Sequence, residues 1–246
     1  MELTINKITK PKGKEYFLSK KVGKAIMDYQ MISEGDRILV AVSGGKDSLT
    51  LLKILRDRLS FSPVKYELLA VYIDMDEGFI HLQALKDYLK KNGYNYHIEK
   101  IDIPKDSPSE RLSCFWCSWN RRKTLFQLAD KFNCNKVALG HHLDDVVETI
   151  LLNMFFNGEI SAMCPKQILF GGKLTIIRPL VYIEEKEIIS FANQQDFPQS
   201  YCRCPNSLNS KRAYIERLIK NLEKDFPRVK NNIFGALKRI RKEYLV

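Results

Sequence analysis

The chain has 246 residues, enough to bury a substantial core, with 40 basic against 29 acidic side chains and a formal net charge of +11. No apolar run approaches the roughly 20 residues of a membrane span, and the N-terminus MELTINKITKPKGKEYF lacks the apolar centre of a secretory leader, so a cytoplasmic protein is expected. Six cysteines in that reducing setting do not read as a disulfide framework, and the excess of positive charge points to a polyanionic partner.

Residues 1–20 are basic and interrupted by Pro11 and Gly13, which reads as a surface arm, and residues 21–31 read as a helix with Val22, Ala25, Ile26 and Tyr29 on one face. These form an N-terminal unit over residues 1–33, followed by a main domain over 34–200 and a cysteine loop with a basic helical tail over 201–246. Ile38-Leu39-Val40-Ala41-Val42 is a short apolar run suited to a strand buried on both faces. Ser43-Gly44-Gly45-Lys46-Asp47-Ser48 follows, and its paired glycines let successive N–H groups converge on an anion. Leu49, Leu51, Leu52, Ile54 and Leu55 then recur at helical spacing, so a helix over 48–59 directs its positive end at the same point. Lys46 adds a point charge, and Ser43 and Ser48 add hydroxyls, completing a phosphate cradle. A Walker loop would need four residues between its first glycine and its Gly-Lys pair, which this spacing does not provide.

Strands are expected at 66–73, 96–101 and 136–139, alternating with helices at 81–91 and 118–132, which predicts an α/β, doubly wound, mainly parallel sheet. Ligands in such folds bind at the carboxyl ends of the strands. One of those ends carries Gly140-His141-His142-Leu143-Asp144-Asp145. If a helix starts here, His141 stacks on Asp145 and Asp144 on Glu148. Carboxylates beside a phosphate cradle suit Mg²⁺, and helix capping with surface charge is the alternative reading. Residues 157–172 read as loop, 174–177 as a strand, 184–194 as a helix, and the tail as one or two helices rich in Lys and Arg. That tail, including Lys211, Arg212, Lys230 and Lys238, is either a solvated face or a surface for a phosphate backbone.

Cys114-Phe115-Trp116-Cys117 stands at the start of a helix beside Arg111, Arg121 and Arg122, where thiolates are favoured, and reads as a metal or redox pair. Cys202-Arg203-Cys204 lies far along the chain. Zinc would take all four sulfurs, whereas an iron–sulfur cluster needs three and leaves one iron open, and the tight CxC spacing favours three. Cys134 and Cys164 read as buried or inert thiols.

SGGKDS in this setting resembles the PP-loop of the ATP pyrophosphatase superfamily, which cuts ATP between its α and β phosphates. With GHHLDD, CFWC and the late cysteine loop, the chain resembles the tRNA 2-thiocytidine synthetase family over nearly its full length. The quoted stretches are KAIMDYQMISEGDRILVAVSGGKDS, ALGHHLDDVVETILLNMFFNGE and IRPLVYIEEKEI. The resemblance implies ATP, Mg²⁺ and a [4Fe-4S] cluster as cofactors. ATP would be held by Ser43, Gly44, Gly45, Lys46, Asp47, Ser48, Gly140, His141 and Asp144, with Lys46, Asp47 and Asp145 at the reacting centre. The cluster would be held by Cys114, Cys117 and Cys204, although the loop reads CRC where the family more often separates these cysteines by two residues, which leaves Cys202 as the alternative third ligand. The implied reaction is thiolation of a cytidine, at position 32 of the anticodon loop, with tRNA as partner and a cysteine desulfurase or free sulfide as sulfur donor. A tRNA 2-thiouridine synthetase, a persulfide-based thiolase and a non-enzymatic zinc RNA-binding protein are the rival readings. Phe155 and Phe156 suit either a homodimer interface or the core.

Overall fold

The structure is a computed structural model that describes residues 13–75, 82–101, 114–198 and 210–244. In chain order the elements are α1 (Gly13–Asp28), β1 (Asp36–Val42), α2 (Lys46–Arg58), β2 (Tyr66–Asp74), α3 (Leu82–Lys91), β3 (Tyr96–Lys100) and α4 (Cys114–Lys131). They continue as β4 (Lys136–Ala138), α5 (Leu143–Phe156), β5 (Lys166–Leu169), β6 (Leu174–Ile177), α6 (Glu185–Ala192), α7 (Lys211–Asp225) and α8 (Val229–Ala236). The six strands form one sheet in the order β3-β2-β1-β4-β6-β5. Neighbours are parallel except β5, which runs antiparallel to β6. This is the expected doubly wound α/β architecture.

β1 is central, pairing with β2 along its whole length and with β4 from Ile38 to Val40. Successive side chains on a strand face opposite ways. Ile38, Val40 and Val42 enter one core with Leu49, Leu52 and Leu55 of α2, Val22 of α1 and Phe191 of α6. Leu39 enters the other with Val71, Val137, and Leu128 and Ala129 of α4. Burial on both faces is why β1 reads as a continuous apolar run instead of an alternating one. A third cluster joins Leu143, Val147 and Leu151 of α5 to Ile215 and Ile219 of α7, with Ile233 and Phe234 of α8 packed against it.

Three expectations are corrected. Helix α1 begins at Gly13 instead of near residue 21, because a glycine at φ +58° opens the helix where its conformation is tolerated, and Leu18, Val22 and Ala25 then share a buried stripe. Within the stretch expected as loop, Lys166–Leu169 forms the edge strand β5, too short and too polar to show a period. Phe155 and Phe156, suited in the sequence either to a homodimer interface or to the core, are 54% and 39% exposed at the end of α5, which removes the core reading. Among the described residues no helix is long and apolar enough to cross a membrane.

Ile219, 3% exposed, is one of the side chains that anchor α7 to α5. Ile219→Ala is expected to destabilise the chain by about 2–5 kcal/mol through a lost contact and a residual cavity, measured by urea unfolding.

Candidate active site

Strand order reverses at β1 and β4: the chain leaves β1 for β2 and β3 on one side and returns to β4 on the other. Such a switch point opens a crevice at the carboxyl ends of the two strands. Residues 43–45 leave β1 there, and residues 139–142 leave β4. Gly44 has φ +79°, a left-handed turn that a side chain would strain. Gly45 is the N-cap of α2 and supplies no side-chain cap, so the first-turn N–H groups of α2 suit an external anion. The serines shape the loop from inside. Ser43 N–H donates to Ser48 Oγ at 3.1 Å, and Ser48 Oγ donates to the Gly45 carbonyl at 2.9 Å. Buried Ser48 is therefore committed to loop geometry before any ligand arrives.

The two loops touch through Gly140. A Cβ at this position would lie 3.0 Å from Ser48 N and 3.1 Å from Asp47 C and Ser48 Cα, all backbone atoms that cannot step aside. Gly140 thus lets the end of β4 lie directly on the start of α2.

Lys46 Nζ is 2.9 Å from Glu185 Oε1, at the first turn of α6, and 3.4 Å from Asp47. Burial opposes its charge, but the two carboxylates outweigh that and raise its pKa. Burial pushes the Asp47 carboxyl up despite Lys46 and His142. Asp47 Oδ1 is out of solvent and receives no hydrogen bond, with Lys46 Nζ at 3.4 Å and His142 Nε2 at 4.0 Å. A buried carboxylate oxygen without a donor beside an anion nest fits a cation arriving with a triphosphate.

The other carboxylates are occupied. Asp144 Oδ1 meets Lys230 Nζ of α8 at 2.7 Å, and its Oδ2 accepts the Glu185 N–H at 2.8 Å. Burial would raise Asp144, but His142, Lys230 and the Glu185 amide hold it well below the usual carboxylate range. Asp145 Oδ2 accepts the His142 N–H at 2.9 Å, capping α5, and its Oδ1 pairs with Arg212 of α7. Arg212 Nε also reaches Glu148 Oε2 at 2.6 Å. Because α5 starts at Leu143, His141 precedes the helix and does not stack on Asp145 within it. Arg178 Nε instead donates to His141 Nδ1 at 3.2 Å, which leaves the ring proton of a neutral imidazole on Nε2. Burial, with Arg178 and Arg212 nearby, lowers His141 to about 4 although Asp145 opposes it.

Cys114 and Cys117 lie at positions i and i+3 in the first turn of α4, a spacing that sets them on one helical face. Their side chains lie outside the described residues, as do Cys202 and Cys204 altogether. The same helix reaches the carboxyl edge of the sheet. Arg121 Nε lies 3.0 Å from Met75 Sδ at the end of β2, and Arg122 is near enough to Arg178, after burial, to help lower its pKa to about 10. Cys134 is buried, and burial pushes its thiol up. Arg178 and Glu185 stand in a stretch noted in the sequence for its resemblance and, from residue 184, as a helix, with no site role given to either. Arg212 and Lys230 were grouped with the exposed tail cations, and no local signal in the sequence separates them from the rest.

A glycine-turned anion nest at the switch point of a parallel sheet, with a lysine in the first turn that follows, defines a PP-loop nucleotide-binding protein. The family model described as a PP-loop domain matches residues 16–220. The chain is 42% identical over 235 residues to a tRNA-cytidine(32) 2-sulfurtransferase of Geotalea uraniireducens, covering 93% of each chain. It is 44% identical over 231 residues to one of Geobacter sulfurreducens, covering 92% of this chain and 90% of the other. The chain belongs to the PP-loop family, in the branch of the tRNA-cytidine(32) 2-sulfurtransferases. In fold it is similar to the U34-tRNA thiolase NcsA from Methanococcus maripaludis, solved with its [4Fe-4S] cluster. That match has a TM-score of 0.72 at 24% identity and covers 95% of this chain and 81% of the other.

Gly140→Ala is expected to push the start of α2 away and weaken ATP binding, at a stability cost of about 1–3 kcal/mol, read by calorimetric titration with an ATP analogue and by thermal melting. A second expectation concerns pH. Between the usual His value of 6.5 and about 4, the unfolded chain holds a proton that folded His141 does not. The contribution of neutral His141 is full above that window and lost as pH falls through it. His142 has the opposite sign: burial lowers it, its three neighbouring carboxylates raise it above 6.5, and its contribution fades as pH rises. His141→Asn should flatten the fall in unfolding midpoint between pH 6.5 and 4, and an unchanged slope contradicts the assignment.

Proposed function

We propose that the chain thiolates tRNA, converting a cytidine at position 32 of the anticodon loop to 2-thiocytidine at the expense of ATP. The observation that carries this is the seating of the PP-loop against Gly140 at the carboxyl edge of the sheet that α4, the CxxC helix, also reaches through Arg121. The names of relatives above 40% identity over more than nine-tenths of the chain support the substrate.

In this reading the N–H groups of Gly44, Gly45 and the first turn of α2 receive the β and γ phosphates, and Lys46 offsets their charge. Asp47 Oδ1, buried and without a donor, is the oxygen best suited to the Mg²⁺ that accompanies them. The C2 carbonyl oxygen of the cytosine attacks the α phosphorus and pyrophosphate leaves, turning a poor leaving group into AMP. Reaching the site requires the base to leave its stack. Cys114 and Cys117, one turn apart at a helix start, fit a thiolate-bound centre, and Cys204 is proposed as their third partner. A [4Fe-4S] cluster on these three would present sulfide from the donor, held where no cysteine binds, so that sulfur replaces the activated oxygen at C2 and AMP departs with it. Exposed cations of α7 and the residues after α8, such as Lys211, Arg217 and Lys238, meet the tRNA backbone, whereas Lys230 is buried against Asp144 and Arg212, half exposed, is paired with Asp145 and Glu148.

Anaerobically purified chain should carry about four irons, and with tRNA, ATP and a sulfide source it should form 2-thiocytidine, detected by nucleoside mass spectrometry and accompanied by AMP. Cys114→Ala, Cys117→Ala and Lys46→Ala should each abolish the product, and Cys134→Ala should not. Product found as 2-thiouridine would reassign the base, and full activity of Cys114→Ala would remove the cluster.

A further inference from the structure

We propose that Lys230 is a positioning residue for the phosphate-binding lysine: from α8 it anchors Asp144, Asp144 anchors the start of α6, and α6 presents Glu185 to Lys46. The inference rests on the reading of residues 43–48 as the ATP loop and goes beyond it by giving the C-terminal helices a part in nucleotide binding.

Each link is a direct contact between groups distant in sequence. Lys230, only 8% exposed, has its Nζ 2.7 Å from Asp144 Oδ1 and 2.7 Å from Glu223 Oε2. Glu184 Oε2 lies 4.0 Å away. A lysine this far out of water cannot serve as an RNA phosphate contact, and removing its ammonium from solvent is tolerated because two carboxylates compensate. Asp144 Oδ2 takes the Glu185 N–H at 2.8 Å, one of the amides a helix start leaves without an internal partner. Glu185 Oε1 then holds Lys46 Nζ at 2.9 Å. Without Glu185, among the described residues only Asp47 at 3.4 Å would fix the lysine head. The path Lys230, Asp144, Glu185, Lys46 therefore runs from the tail to the PP-loop. It also explains the burial of one tail cation when many others lie at the surface.

Loss of the charge at position 230 has consequences of one sign. Asp144 becomes a buried carboxylate with only the His142 ring, 3.6 Å away, to offset its charge among the described residues, and the carboxylate that accepts the Glu185 N–H at the start of α6 is no longer held from α8. Both weaken the binding of a polyanion.

The test uses the full chain without tRNA and an α,β-methylene analogue of ATP with Mg²⁺, titrated by calorimetry. Lys230→Met should bind the analogue at least about tenfold more weakly, while its affinity for tRNA and the salt dependence of that affinity stay at parent values. Lys230→Met combined with Asp144→Asn should regain much of the lost affinity, because asparagine removes the stranded charge and still accepts the Glu185 N–H. Analogue binding by Lys230→Met at the parent level, or a folded double variant as weak as the single one, overturns the proposal. So does a reduced salt slope for tRNA, which would make Lys230 a phosphate contact. Hydrogen exchange on the unmodified chain tests the same path should a variant not fold. The analogue should slow exchange in α8 as well as in residues 43–48, and protection of the loop with α8 unchanged refutes the coupling. A parent chain that binds no analogue refutes the ATP reading itself, an outcome distinct from all of these.

Discussion

The backbone contact between Gly140 and the first turn of α2 is the constraint from which the site follows. Parallel pairing of β1 with β4 brings two strand ends side by side, yet only a residue without a Cβ lets the second loop lie on Ser48 N at this distance. The contact closes one wall of the nest formed by Gly44, Gly45 and the start of α2. It also sets His142 and the capped start of α5 beside Asp47. A phosphate cradle and an acidic helix are therefore held at one edge by main-chain geometry, and flexible side chains only refine the arrangement.

Charge around this edge is distributed by neutralisation. Asp144, Asp145 and Glu148 are drawn into pairs with Lys230 and Arg212, leaving Asp47, beside the nest, with a buried oxygen that receives no hydrogen bond among the described residues. This division gives α7 and α8 a structural purpose. Their apolar stripe, Ile215 and Ile219, docks on α5, and two of their cations cancel charges that a bare α5 would hold beside an incoming triphosphate. Arg212 stays half exposed as it does so, and with the other surface cations it forms part of the basic exterior.

Much of this was legible from local chemistry. The apolar run 38–42, the glycine pair and the helical spacing after it identify the cradle, since strand burial, backbone freedom and helix polarity are properties of adjacent residues. The segment GHHLDD was recognisable as a second loop at a strand end for the same reason. Less local features escaped. The start of α1 at Gly13 was hidden because a glycine breaks helices in their interior but tolerates their ends. β5 was hidden because a four-residue edge strand carries too few side chains to show a period.

The roles of individual charges were decided elsewhere. In the sequence, Asp144 and Asp145 are neighbouring carboxylates with equal claims to a metal, and Lys230 is one of many tail cations. Which carboxylate meets which cation depends on where α6, α7 and α8 land after the sheet has formed, and those helices come from residues far along the chain. By itself the sequence determined the nucleotide loop and the pair of cysteines at a helix start, encoded by spacing within one stretch, and the doubly wound class, encoded by the alternation of strand and helix periods along the chain. Only the tertiary structure decided that Gly140 must lack a side chain, that Glu185 meets Lys46, and that Lys230 is turned inward. Burial and pairing of charge are properties of the assembled core, and they have no signature in the order of residues along a single helix.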